Sequence, residues 1–111
     1  MLEEFVAYQK AKTLYKACKG LKLPRFLQDQ IQRASASVVL NLAEGSGKRT
    51  PNDQRRFYSI AFGSLRECLI PFPILPSMDF VLNKLADDLS AILYVLSRKV
   101  DAQPIATVAE N

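Results

Sequence analysis

The stretch Gln30–Cys68, QIQRASASVVLNLAEGSGKRTPNDQRRFYSIAFGSLREC, decides the fold. With Leu27 just ahead of it, its first half sets Ile31, Ala34, Val38 and Leu42 at steps of four, three, four and four, the period of one helical face. Its second half does the same with Phe57, Ile60, Ala61, Ser64 and Cys68. Between the two, Gly45 is placed to end a helix, and Ser46-Gly47-Lys48-Arg49 makes a short, flexible, basic loop. Thr50-Pro51-Asn52-Asp53 then restarts the chain as a helix: a hydroxyl for the N-cap, a proline suited to the first turn, and a carboxylate near the positive end of the helix dipole. The reading is two long helices folded back on each other across a basic turn.

Polar and small residues inside this stretch carry a packing expectation. Ser37, Asn41 and Glu44 follow one another at i, i+4 and i+7, a polar line beside the apolar one, and buried polar groups cost free energy unless hydrogen-bonded. They are therefore expected to face polar or basic groups on the third helix, with Glu44 and Glu67 held by Arg33, Arg66 or backbone amides and Glu44 needed for stability. Gly63-Ser64 marks the place where another helix approaches closely, since an interior glycine costs about 1 kcal/mol relative to alanine and needs a packing reason. The run Val38-Val39-Leu40 cannot share one stripe, because neighbours on a helix point about 100° apart; a second side of this helix is expected to be covered, by the same chain or by another subunit.

Working outward, Ala7, Ala11, Leu14, Cys18 and Leu21 form the inner face of a first helix, widened by Phe5, Tyr8 and Tyr15, with Lys12, Lys16 and Lys19 in a stripe on its other side. Gly20 and Leu23-Pro24 stop it. After the third helix, Pro71-Phe72-Pro73-Ile74-Leu75-Pro76 cannot be regular helix and reads as a stiff, apolar, exposed connector or a kinked helix end. Leu82, Leu85, Leu89, Ile92 and Leu96 then mark a fourth helix, capped by Ser77 or Asp79 and closed by Arg98 and Lys99 at its negative end. The expected architecture is all-α: an antiparallel up-down four-helix bundle with helices at about 2–19, 25–44, 51–70 and 78–100 in a single domain over residues 1–100, and a frayed tail over 101–111.

Charge is divided unevenly along the 111 residues. Residues 1–66 hold 12 Lys and Arg against 5 Asp and Glu, a net of +7, whereas residues 67–111 net −3 from 3 and 6. The front portion is the part suited to an acidic partner. The opening Met1-Leu2-Glu3-Glu4 is not a signal peptide, and no apolar run approaches the ~18 residues of a membrane span, so a cytoplasmic protein is expected. Cys18 and Cys68, both inside helical patterns, read as buried reduced thiols.

No catalytic, cofactor or metal constellation is found. The string GSGKRT is not a phosphate loop: that motif needs a glycine at the place of Leu42 and a Ser or Thr at the place of Arg49, after a strand. The chain has no histidine, so imidazole base chemistry and the Glu-x-x-His di-metal pattern of bundles are both missing. The sequence points to a non-enzyme that works by binding.

The strings QIQRASASVVLNLAEGSGKRT and RRFYSIAFGSLREC resemble the small four-helix-bundle proteins encoded in 23S rRNA intervening sequences, relatives of the accessory variability determinant proteins of diversity-generating retroelements. The likeness rests on Gln30, Arg33, Ala34, Ser37, Asn41, Ala43, Glu44, Gly45, Phe57, Ala61, Gly63, Ser64 and Glu67, joined by Tyr8, Gln9, Ala11 and Leu14 in the first helix. It spans about two thirds of the chain. It implies a homopentamer of bundles with a basic surface proposed to bind nucleic acid. The chain departs from that pattern at Pro71, Pro73 and Pro76, where relatives continue the helix.

Two functions follow as expectations. The first is phosphate-directed binding of RNA, ahead of DNA, by Lys12, Lys16, Lys19, Lys48, Arg49, Arg55 and Arg56, without sequence readout. The second is an oligomeric scaffold that holds a nucleic-acid-processing protein partner through the apolar connector. No cofactor is expected in either case.

Overall fold

The computed structural model describes residues 2–75 and 80–110, with side chains over 2–75 and 80–98. Four helices make up the described chain: α1 (Leu2–Lys19), α2 (Arg25–Ser46), α3 (Pro51–Leu69) and α4 (Phe80–Glu110), with a short 3-10 turn at Phe72–Ile74. Each packs on its neighbours in the cyclic order α1, α2, α3, α4 and back to α1, the arrangement of an up-down bundle. The direction of the pairs is fixed by particular contacts. Gln28 Nε2 at the start of α2 donates to the Cys18 carbonyl at the end of α1 at 3.0 Å. Ser37 Oγ in α2 meets Ser64 Oγ in α3 at 2.7 Å, while Gly45 later in α2 lies against Tyr58 and Phe57 earlier in α3, so these two helices run antiparallel.

The caps explain where the helices begin and end. α1 opens with Glu3 and Glu4 and closes with Lys16 and Lys19, each charge facing the helix end of opposite sign. Thr50 caps α3, its side-chain oxygen accepting from the Asp53 N–H at 3.2 Å, with Pro51 in the first turn. The core is built from the expected stripes: Ala7, Ala11, Leu14, Cys18, Ile31, Ala34, Val38, Leu42, Ala61, Cys68, Leu82, Leu89 and Leu96 are all buried, and Leu85 and Ile92 pack against them partly covered. Leu93 and Ala86 join from beside the α4 stripe. The two cysteines are free and buried, and they meet across the bundle with Sγ atoms 4.0 Å apart. That hydrogen bond and burial push the Cys68 thiol far above its ordinary pKa.

Several expectations are corrected. Gly45 does not end α2: the helix continues to Ser46, Gly47 supplies the C-cap, and Gly45 is buried against Tyr58 and Phe57, so closely that a Cβ there would lie 2.7 Å from Tyr58 Cε1. Gly63 is not a close-approach point within the chain, since a Cβ would meet nothing within 4 Å. Ile60 is 45% exposed, and Tyr58 and Leu65 take the inner positions of α3 instead, as a helix that turns 100° per residue allows. The connector folds as a 3-10 turn after Pro71 and buries Phe72 against the core, leaving Ile74 at 75% exposure. Pro76 and the proposed caps Ser77 and Asp79 lie outside the described residues. Helical backbone in α4 runs past Val100 to Glu110, so Arg98 and Lys99 sit within the helix rather than at its end.

Candidate nucleic-acid interface

The seven basic residues singled out from the sequence do not form one surface. The last turn of α1 sits at the level of Ile31, because Cys68 Sγ lies 4.0 Å from both Cys18 Sγ and the Ile31 carbonyl oxygen. At 1.5 Å per residue, the α2 positions from Ile31 to the Lys48 turn span roughly 26 Å. Lys16 and Lys19 therefore belong to one end of the bundle, joined by exposed Lys22 in the α1–α2 turn. Lys48, Arg49, Arg55 and Arg56 belong to the other. Lys12 is between them, its Nζ 4.8 Å from the Tyr8 ring centroid. Lys22 belongs to no helical stripe; its one sequence signal is its place in a turn beside Gly20.

The α2–α3 turn is the denser cluster. Arg49 and Arg56 are exposed; Arg55 and Lys48 are partly covered. Lys48 Nζ is 3.3 Å from the Glu44 carboxylate and 5.0 Å from the Phe57 ring centroid, and the Arg56 guanidinium lies 6.0 Å from the same ring. Phe57 thus steadies two cations from opposite sides of the turn. The N–H groups at the start of α3 add positive potential at the same place, offset in part by Asp53. A backbone phosphate meeting this turn would find two exposed guanidinium groups and a helix N-terminus.

The polar residues of the α2–α3 stretch divide on a different line. Asn41 Nδ2 donates to the Ser37 carbonyl at 2.9 Å and to Ser37 Oγ at 3.0 Å, and Ser37 in turn bonds Ser64, so Ser37, Asn41 and Ser64 form a connected network at the helix seam. Glu44 is not part of it: its carboxylate turns to Lys48 and its side chain is 58% exposed. Glu67 is exposed too and lines a shallow polar groove on the outer α2–α3 face with Gln30, Arg33, Ala34, Ser37 and Ser64. Of the polar residues expected to hold the two helices together, Ser37, Asn41 and Ser64 are bonded at the seam, while Glu44 and Glu67 are exposed and take no part.

A feature at the same end as the basic turn had no sequence signal. Phe5, Tyr8, Leu42 and Tyr58, with Glu4, Ser46 and Gln54, line a cavity of about 230 Å³. Burial and the nearby Glu4 carboxylate push the Tyr58 hydroxyl up to about 12. The aromatic positions come from two helices and two turns of register, so no local string reveals them.

Among the described residues no group of His, Cys, Asp and Glu could hold a metal ion, and no helix is long and apolar enough to cross a membrane. A family model described as 23S rRNA-intervening sequence protein matches residues 3–102. No curated protein and no solved structure matches the chain.

Proposed function

The chain belongs to the 23S rRNA-intervening sequence protein family, and from that membership we propose that it is a non-catalytic, oligomeric protein of the cytoplasm that binds RNA through phosphate contacts. The observation that carries this reading is the α2–α3 turn, where Arg49 and Arg56 are exposed beside Lys48, Arg55 and the N-terminus of α3. Contacts of this kind position a strand without reading its sequence, and their free energy comes largely from counterion release. The second patch, Lys16, Lys19 and Lys22, lies too far along the bundle to share a phosphate with the first, and with Lys12 between the two it extends the track for a longer strand.

Assembly is supported by apolar surface that a monomer leaves open. Leu40 is 66% exposed on α2 and borders a surface depression with Lys12, Tyr15, Ala36 and Val39. An exposed leucine beside an apolar depression is surface that a second subunit would cover with a gain in hydrophobic free energy. The family resemblance supplies the number five. Repeating the basic turn around a ring would multiply weak phosphate contacts into useful avidity. The test is RNA binding by the parent and by a Lys48/Arg49/Arg55/Arg56→Ala variant, with helicity measured on both. The proposal requires the folded variant to lose binding; retained binding would remove it.

A scaffold reading is favoured by a second apolar area, since Ile70, Ile74, Phe80 and Val81 are between 67% and 80% exposed around the connector. In that case the purified protein carries no nucleic acid, and the four-residue variant keeps its protein partner.

A further inference from the structure

We infer that the cavity lined by Phe5, Tyr8, Leu42 and Tyr58 receives one unpaired nucleobase from a strand whose phosphates lie on the neighbouring Lys48–Arg56 turn. The inference rests on the phosphate-binding reading of that turn and adds to it which state of nucleic acid is bound.

Size and lining come first. An apolar cavity of ~150 Å³ admits benzene, so about 230 Å³ is room for a one- or two-ring base. Three of its seven lining residues are aromatic, and every base has a face that can stack on such rings whatever its sequence. Phe5 is 61% exposed at the mouth, an apolar ring that the bundle itself does not use.

Polar groups give the second observation. Tyr58 is 2% exposed, and among the described residues its hydroxyl has no hydrogen-bond partner. A buried donor left unmade costs free energy, and base carbonyls and ring nitrogens are acceptors. The Gln54 amide adds donors and an acceptor to the lining, the Glu4 carboxylate adds an acceptor, and the Ser46 hydroxyl, which donates to the Ala43 carbonyl at 2.9 Å, keeps only its acceptor side.

Position gives the third. Ser46 and Gln54 bracket the basic turn in sequence, Ser46 two residues before Lys48 and Gln54 directly before Arg55. A base in the cavity therefore leaves its own backbone at the turn. Bases inside a duplex are stacked and cannot enter, so the arrangement selects single-stranded segments, loops or ends.

The test uses the full chain and three oligonucleotides of equal length: a single strand carrying 2-aminopurine at its centre, the same strand with an abasic centre, and the corresponding duplex. The parent should bind the intact strand roughly tenfold or more tightly than the abasic one, the loss that removing a stacked base brings, and should quench 2-aminopurine fluorescence. Phe5→Ala, an exposed position whose loss the fold tolerates, should abolish both the preference and the quenching while leaving abasic binding unchanged. Tyr58→Phe should weaken the intact strand alone; parent-like binding by it would overturn the hydroxyl's part. Equal affinity for all three probes with no quenching overturns base capture and leaves phosphate binding standing. No binding of any probe overturns both.

Discussion

Gly45 and Gly63 sit in consecutive helices of the same motif and do opposite things. At Gly45 a methyl group would press into the Tyr58 ring at 2.7 Å, so Gly45→Ala should destabilise although alanine is the better helix former. At Gly63 nothing lies within 4 Å, so Gly63→Ala should stabilise the bundle by up to about 1 kcal/mol. Thermal denaturation of the two variants checks both signs, and a Gly63→Ala variant that melts lower would show a second chain lying against that position. From the sequence Gly45 reads as a helix stop and Gly63 as the close approach, whereas the close approach is at Gly45, because its cause is a neighbour in space: Tyr58 is 13 positions from Gly45. Glu44 teaches the same lesson in reverse. Its i, i+4, i+7 spacing from Ser37 was legible, but the helix had turned it to Lys48 and solvent, so Glu44→Ala should change stability by well under 1 kcal/mol, as exposed ion pairs do.

Tyr58 adds a pH dependence at the same scale. Its hydroxyl titrates near 10 in the unfolded chain and near 12 in the fold, so between those values the folded state holds the proton that the unfolded state has lost. Stability from this group is complete below pH 10 and falls as pH rises towards 12. Urea denaturation of the parent and of Tyr58→Phe across that window should show the parent losing more stability than the variant; parallel losses would contradict the burial of the hydroxyl.

At the scale of elements, the helices were legible wherever punctuation and period agreed. Leu2–Lys19 and Pro51–Leu69 follow from Gly20, Leu23-Pro24, Thr50 and Pro51, each of which acts on the backbone locally. Thr50→Ala should accordingly cost about 1 kcal/mol in thermal or chemical denaturation, the usual cost of an N-cap hydroxyl. Where the outcome depended on tertiary contacts, local reading fell short. The prolines after Pro71 forbid a regular helix, but only the core says that the segment turns inward to bury Phe72. The end of α2 lies at Ser46, two residues beyond the expected 44, because Gly45 packs within the helix against Tyr58 and Gly47 supplies the cap.

For the whole molecule, the charge asymmetry was visible as a count and its geometry was not. A net of +7 over residues 1–66 becomes two clusters at opposite ends of a bundle, because an antiparallel turn sends Lys19 and Lys48 apart. The aromatic cavity beside one cluster was equally hidden, being assembled from α1, α2 and α3. Uncovered Leu40 carries the assembly expectation at this scale: Leu40→Lys should leave helicity intact and lower the mass measured by light scattering, and an unchanged mass would place any interface elsewhere.

The central claim is that the α2–α3 turn binds nucleic acid through phosphates, and its most direct measurement is affinity for a single-stranded RNA across a salt series. For single strands each neutralised phosphate contributes about 0.7 to the slope of log K against log salt. Binding by the parent should weaken steeply with salt, and replacing Arg49 and Arg56 with alanine should give a slope shallower by about 1.4 per turn engaged together with lower affinity. An unchanged slope and affinity in that folded variant would contradict it.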